Sequence, residues 1–399
     1  MINFQKIGWL CEKGIFAADA VRKILYLEMV RLNMQVKNGS FDEFALRIKK
    51  HNYEIIVFGA GMIGTVTVPG ILRRYGIEKQ ISCYIDNEKG GKTVQGCGRP
   101  IYSVRYLKDI NPNKYVLLIA VSRFFDVLEQ LEKIENLKDI SCYIIPMMCT
   151  TNFRPLESDC IKRESKFTII PKKIHYMWFG NNKISDSLQY CINSWKKFCP
   201  DYEIIRWDES NYDIGKNLYM EQAYEKKMYG FIPDYARLDL LYHYGGIYLD
   251  TDVELIKNLD DMLYQEAFCC VEKWQTINFG GGSGSVKGNR AVGELLYARE
   301  NLSFIDENGS LNKNTCGYYD TKTLLKFGYK LSGTFQKVID LNVYPYEYFH
   351  PYDYMSGRTD ITEHTYGIHH FSGSWLDKAM KEANLKTSKE YERIYKTIM

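Results

Sequence analysis

Between Tyr53 and Ile145 short β-like runs alternate with helical stretches, and this alternation constrains the fold more than any other feature. The runs are IIVF (55–58), ISCYID (81–86), YVLLIAV (115–121) and ISCYII (140–145), with helical stretches around 62–75 and 123–136. Strand–helix–strand spacing of this kind builds a parallel sheet with helices on its faces. A second alternation starts at 168 with TIIPKKIHYMWFG, followed by a helix over about 185–198 and the strand YEIIRWD. Two more helices precede GGIYLDTD, and the pattern then loosens toward YGIHHFSGSW (366–375). The stretch TTNFRPLESDCIKRESKF (150–167) is polar and charged, and it reads as a linker. Residues 1–50 read as helical, with a break at Asn38-Gly39-Ser40. The expected division is therefore a helical segment (1–50), an α/β domain (51–149), a linker (150–167) and a second α/β domain (168–399).

At 399 residues, two domains of ordinary size are expected. A formal net charge of +3 is too small to argue for nucleic acid. The sequence contains no apolar run of about 18 residues, so no span is expected. MINFQKIGWLCEKG has no continuous apolar core and no small-residue cleavage site, so no secretion signal is expected there. Eleven cysteines without a CxxC pair point to reduced thiols in a cytoplasm. The 32 tyrosines supply aromatic planes of the kind that suit carbohydrate and nucleotide surfaces.

The stretch YGGIYLDTDVE (244–254) places two acids one residue apart after a Gly-Gly turn. In an extended strand Tyr248, Asp250 and Asp252 share one face. Two carboxylates side by side repel unless a cation or a proton lies between them. Hard oxygen ligands suit Mg²⁺ or Mn²⁺, whose open positions substrate phosphates fill. Strand C-termini of an open α/β sheet are where ligands bind. A bare D-x-D is also common as a solvated acidic turn. What sets this one apart is the preceding helix, on which Asp234 and Arg237 are three residues apart and share a face.

Five stretches, in order, carry a family resemblance: IPKKIHYMWFG, SWKKFCPDYEIIRWDE, PDYARLDLLYHYGGIYLDTDVE, YPYEYFHP and HHFSGSW. Over about 168–375 the chain resembles glycosyltransferase family 32, which includes capsular polysaccharide transferases and yeast mannosyltransferases. The resemblance implies a glycosyltransferase A-type (GT-A) domain, a nucleotide-sugar donor (a UDP- or GDP-sugar), Mn²⁺ or Mg²⁺, and transfer with retention to a glycan or lipid-linked glycan. It implies Asp252 as a metal ligand and Asp250 in contact with the donor sugar or ribose. Asp234 and Arg237 match positions that hold donor sugar and phosphate in related clostridial toxin transferases. Trp178 would stack on the nucleobase, or else pack in the core. His370, in HFSG, resembles the metal-binding His of the H-F/Y-x-G motif, and His369 would point elsewhere. Ser372 and Trp375 would line the diphosphate. A metal stabilises the leaving diphosphate as a Lewis acid, and an arginine adds to it. In a retaining transferase the leaving phosphate itself accepts the proton, so no separate nucleophile motif is expected. The implied setting is surface polysaccharide synthesis in the cytoplasm, peripheral to the membrane's inner face or its assembly machinery.

VFGAGMIG carries Gly59, Gly61 and Gly64 as G-x-G-x-x-G between a strand and a helix. Asp86 ends the next strand, where a ribose-binding acid would sit. The block resembles small Rossmann-like domains beside sugar-modifying enzymes, and a nucleotide site and a packing scaffold are both open. Pro69 and Gly70 fall within the helix that follows, which is expected to be short or kinked. Two rival functions are a nucleotide-sugar oxidoreductase or epimerase built on this loop, and a non-catalytic assembly module. A glycosidase would need two separated carboxylates and no metal.

Overall fold

The computed structural model describes residues 35–37, 39–151, 163–312, 314–354 and 357–373, with 382, 385, 388 and 389 as isolated positions beyond them. The chain divides into two compact units, Met1–Asn152 with Met355–Gly357 and Glu382–Met399, and Phe153–Tyr354 with Arg358–Lys381. Most of the expected N-terminal helical segment lies outside the described residues; within its described part, Gln35–Lys37 is a strand rather than a helix, and Phe41–His51 is helical.

The first unit is a six-stranded, all-parallel sheet. Its strands are β1 (Gln35–Lys37), β2 (Glu54–Phe58), β3 (Ile81–Ile85), β4 (Ile101–Tyr102), β5 (Tyr115–Ile119) and β6 (Ser141–Ile144). They lie in the order β1-β6-β5-β2-β3-β4. The order reverses between β2 and β5, and the glycine loop leaves the sheet at that switch point. Ser40 caps helix α1 (Phe41–His51) through a reciprocal box with Glu43, and Phe41, Phe44, Ala45 and Ile48 form its buried stripe. After the glycine loop a π-helical turn (Ile63–Thr67) runs directly into α2 (Val68–Arg74). Pro69 sits in the first turn of α2, where its missing N–H costs little, so the expected interruption takes the form of a π turn. Helices α3 (Phe124–Leu131) and α4 (Ile145–Thr151) complete the unit.

The second unit contains a mixed sheet. Its strands are β7 (Lys173–Met177), β8 (Glu203–Trp207), β9 (Gly246–Tyr248), β11 (Ala267–Val271), β12 (Ile277–Asn278), β13 (Ser283–Ser285), β14 (Gln336–Val338) and β15 (Leu341–Tyr344). The order is β14-β15-β11-β13-β9-β7-β8, with β12 on β11. Strands β7, β8 and β9 are parallel, and β13 runs antiparallel to β9. Beside this sheet, β10 (Val253–Leu255) pairs antiparallel with β18 (Gly367–His369), setting Val253 opposite His369. A small hairpin, β16 (Tyr352–Asp353) and β17 (Arg358–Thr359), lies between β15 and β18 in sequence. Helices are α5 (Asp186–Phe198), α6 (Leu218–Glu225), α7 (Pro233–Tyr244), α8 (Arg290–Tyr297) and α9 (Cys316–Lys326). Helix α7 is buried from Asp234 to Leu241 and ends at Gly245, which turns the chain into β9. The last residues of the expected linker are tied to this unit: Ser165 N–H donates to the Tyr264 carbonyl at 2.9 Å, and Arg163 pairs with Asp261 at 3.0 Å.

The turn from α7 to β9 is held by buried His175 on β7. Its Nε2 lies 2.9 Å from the Gly245 carbonyl, and its Nδ1 accepts from Trp207 Nε1–H at 3.1 Å. These partners fix the neutral Nε2–H tautomer. Burial, reinforced by Lys173 and partly offset by the Gly245 carbonyl, lowers its pKa to about 4. The folded value lies below the unfolded one, so the stabilisation is present above about pH 6.5 and is lost as pH falls through about 4. We expect His175→Gln to lose less stability than wild type between pH 7 and pH 4 in denaturant titrations. The difference should approach roughly 3 kcal/mol at most; parallel curves for the two proteins would remove His175 from the pH response.

Candidate donor and metal site

The two acids sit in a turn rather than in a continuing strand. Strand β9 ends at Tyr248, and Val253 N–H closes back on the Asp250 carbonyl at 3.1 Å. The period-two argument therefore holds for Tyr248 and Asp250, whose side chains meet at 3.0 Å, but not across Asp252. The turn nonetheless converges the acids: ligand atoms of Asp250, Asp252 and His369 all lie within 4.8 Å of one another.

The histidine of this cluster is His369, not His370. His369 Nε2 lies 3.2 Å from Asp252, whereas His370 Nε2 pairs with Glu254 at 3.0 Å. Adjacent residues at a strand end point to opposite faces. The register that sets His369 across from Val253 decides which of them meets the aspartates. Phe371 then takes a left-handed φ of 47°, and the Ser372 N–H returns to Asp252 Oδ2 at 2.7 Å. Ser372 thus contributes a backbone donor, while its side chain is exposed. Trp375 lies outside the described residues. Burial opposes charge on Asp252, but His369 and the Ser372 N–H outweigh it and hold the carboxyl below the usual range. Burial likewise opposes charge on His369, and Asp252 outweighs it, so the imidazole pKa is raised.

Helix α7 delivers the second half of the site. Arg237 Nη2 lies 3.3 Å from Asp234 and 3.5 Å from Asp250, its Nε–H donates to the Pro233 carbonyl at 2.8 Å, and its cation lies 5.2 Å from the Tyr248 ring centre. Burial raises the Asp234 pKa to about 6, against the pull of Arg237 and Arg299. Trp178 directly follows β7, with its indole N–H donating to the Asn182 carbonyl at 2.6 Å, and it is half-buried.

Behind Asp234 is a buried pair that the sequence did not reveal. Arg299 donates to the Asp234 carbonyl, to the Cys316 carbonyl at 3.1 Å and to Asp320 at 2.5 Å. It links the segment after α8 to the first turns of α7 and α9. Such residues, distant in sequence and outside any motif, have no local signal.

In the first unit Gly59 (φ +109°) and Gly64 are required by space. A Cβ at Gly64 would lie 1.8 Å from the Gly59 carbonyl, whereas one at Gly61 meets nothing within 4 Å. Asp86 accepts from the backbone N–H groups of Ala60 (2.9 Å), Glu88 (2.9 Å) and Lys89 (3.1 Å). The acid expected to meet a ribose thus staples its own loop.

Residues 185–269 match the family model described as a glycosyltransferase sugar-binding region containing a DXD motif. The matched residues lie within the second unit. Among curated proteins, Subversion of eukaryotic traffic protein A of Legionella pneumophila is 25% identical over 197 residues, 39% of this chain and 30% of that protein. Inositol phosphoceramide mannosyltransferase 3 of Schizosaccharomyces pombe is 36% identical over 103 residues, 25% of this chain and 29% of that protein. Inositol phosphoceramide mannosyltransferase 1 of the same yeast is 28% identical over 122 residues, 28% of this chain and 37% of that protein. The chain thus spans about a third of the length of the curated relatives it matches. The solved PaToxG glycosyltransferase aligns with a TM-score of 0.30 and 21% identity, over 39% of this chain and 69% of that one. The mixed α/β class expected for the chain is what the structure has, and it is consistent with the GT-A type. Among the described residues no helix is long and apolar enough to cross a membrane. The family match ends at 269, so it covers the DXD aspartates and Arg237 but neither His369 nor Arg299.

The Arg299–Asp320 pair generates a stability prediction. Arg299→Met strands Asp320 in the interior and should cost about 3–5 kcal/mol. Adding Asp320→Leu should recover most of that loss, because the double variant buries no lone charge. Chemical denaturation of the three variants checks it; a double variant no more stable than Arg299→Met would contradict it.

Proposed function

We propose that this chain is a divalent-metal-dependent, retaining glycosyltransferase. It moves a sugar from a UDP- or GDP-sugar to a glycan or lipid-linked glycan in capsular or surface polysaccharide synthesis, in the cytoplasm at the membrane's inner face. The observation that carries the reading is the convergence of Asp250, Asp252 and His369 where β9 ends, with Arg237 against Asp250. Two carboxylates and an imidazole fit Mn²⁺ better than Mg²⁺, which accepts nitrogen less readily. When bound, the ion supplies Lewis-acid stabilisation of the leaving diphosphate. Asp252 and His369 would hold it, and the Ser372 N–H fixes the Asp252 carboxylate. Asp250, held by Tyr248 and Arg237, presents its carboxylate to the donor sugar or ribose. Arg237 brings fixed positive charge to the side of the site where phosphate charge develops. Asp234 keeps Arg237 in place, and Trp178 at the end of β7 is offered to the base. The acceptor hydroxyl must be aligned at the anomeric carbon.

Within this reading the first unit is a Rossmann-like domain joined by a linker, and its glycine loop takes a nucleotide. The open face of Gly61 favours this, while the engaged Asp86 disfavours a dinucleotide held through ribose. Gly61→Val should leave the unfolding transition of the full-length chain unchanged and abolish nucleotide binding in calorimetry. Absence of binding by the wild-type chain would leave the loop as a scaffold.

The metal assignment has its own test. Asp252→Asn should lower Mn²⁺-dependent hydrolysis of a nucleotide sugar by about 100-fold or more, with the fold intact by circular dichroism. His369→Ala should raise the Mn²⁺ concentration for half-maximal activity by roughly 10- to 100-fold, and His370→Ala by less than about 3-fold. Equal shifts in the two histidine variants would take His369 out of the metal site.

A further inference from the structure

The segment Phe279–Gly282 between β12 and β13 contains three consecutive glycines, and none of them has a left-handed φ. Backbone conformation therefore does not demand glycine here; space does. A Cβ at Gly280 would lie 2.1 Å from Asp250 Oδ2 and 2.5 Å from Arg237 Nη1. At Gly281 it would meet His350 Nε2 at 2.0 Å, and at Gly282 the Phe349 ring at 2.4 Å. The space a side chain would fill at 280 is thus taken by the Asp250 carboxylate, with the Arg237 guanidinium beside it.

The strip is held in place from both sides. The Asp250 N–H donates to the Gly280 carbonyl at 2.8 Å, which continues the pairing of β9 with β13 up to the acidic turn. The side-chain oxygen of Asn278 accepts from the N–H groups of Gly280 (2.7 Å) and Gly281 (3.1 Å), and its amide donates to half-buried Glu272 at 2.6 Å. A strip anchored this firmly does not yield to an added methyl group, so the side chains in front of it must move.

We propose that Gly280 is a positioning residue of the transfer site, the backbone wall against which Asp250 and Arg237 are brought together. This rests on the donor-site reading above and extends it to a residue outside the matched family region. It separates two properties of the cluster. The atoms nearest a Cβ at 280 belong to Asp250 and Arg237, and none belongs to Asp252 or His369, so a side chain at 280 disturbs donor handling by Asp250 and Arg237 more than metal capture.

The test is a double-mutant cycle of Gly280→Ala and Asp250→Ala, read by thermal unfolding, Mn²⁺ binding by electron paramagnetic resonance, and nucleotide-sugar hydrolysis. Gly280→Ala alone should lower the unfolding midpoint by roughly 3–10 °C and hydrolysis by about 100-fold. Its Mn²⁺ affinity should stay within about 3-fold of wild type. In the Asp250→Ala background the end of the Arg237 side chain can move into the space the carboxylate leaves, and adding Gly280→Ala should change the midpoint by less than about 2 °C. The unfolding cycle needs no activity, so it stands even where the wild-type chain hydrolyses no donor tried, a result that would count against the donor reading alone. An equal loss of midpoint in both backgrounds, near wild-type hydrolysis by Gly280→Ala, or failure of the double variant to fold would overturn the proposal.

Discussion

The second unit depends on balancing carboxylates that its own folding takes out of water. Asp234, Asp252 and Asp320 are buried, and Asp250 sits at their edge. An uncompensated charge in such a place is costly, so each acid needs a cation or a donor within reach. Arg237 sits between Asp234 and Asp250, Arg299 serves Asp320 and the Asp234 backbone, and His369 faces Asp252. The three bases come from α7, the segment after α8, and β18. The helices and the ribbon are thereby fixed relative to the acidic turn by charge as well as by packing.

This arrangement explains the different standing of the two acids in the motif. Asp252 has its imidazole and its backbone donor, and its carboxyl is held below the ordinary range. Asp250 is more exposed, shares an arginine and a tyrosine, and lies against a glycine backbone. One carboxylate is anchored and the other is presented. The same division lets a metal ligand and a substrate contact come from residues two apart.

Much of this was legible in the sequence where the signal is local. The alternation of strands and helices set the α/β class, and the two acids were placed at a strand end after Gly245-Gly246. Asp234 and Arg237 were paired by helical spacing alone. Non-local signals were not readable. His369 and His370 are chemically equal in the sequence, and only the ribbon register chooses between them. Arg299 reaches Asp234 across 65 residues from a position outside any motif. Gly280 looks like a turn glycine, but its role comes from Asp250 arriving in front of it. In the glycine loop the spacing was right, yet Asp86 is engaged by three N–H groups, a detail of turn geometry that spacing does not carry.

The β10–β18 ribbon makes the site a late product of synthesis. The Ser372 N–H and the Asp252 carboxylate it holds are 120 residues apart, with β11 to β17 between them. Closing a loop of that length precedes any reward from the contacts it makes. A nascent chain therefore carries its aspartates for a long interval before their imidazole arrives, with the like charges left to solvent. Asp250 has Arg237 and Tyr248 from earlier in the chain, but Asp252 acquires its imidazole and its backbone donor only when β18 docks, so the charge balance of the metal-side acid waits for that strand.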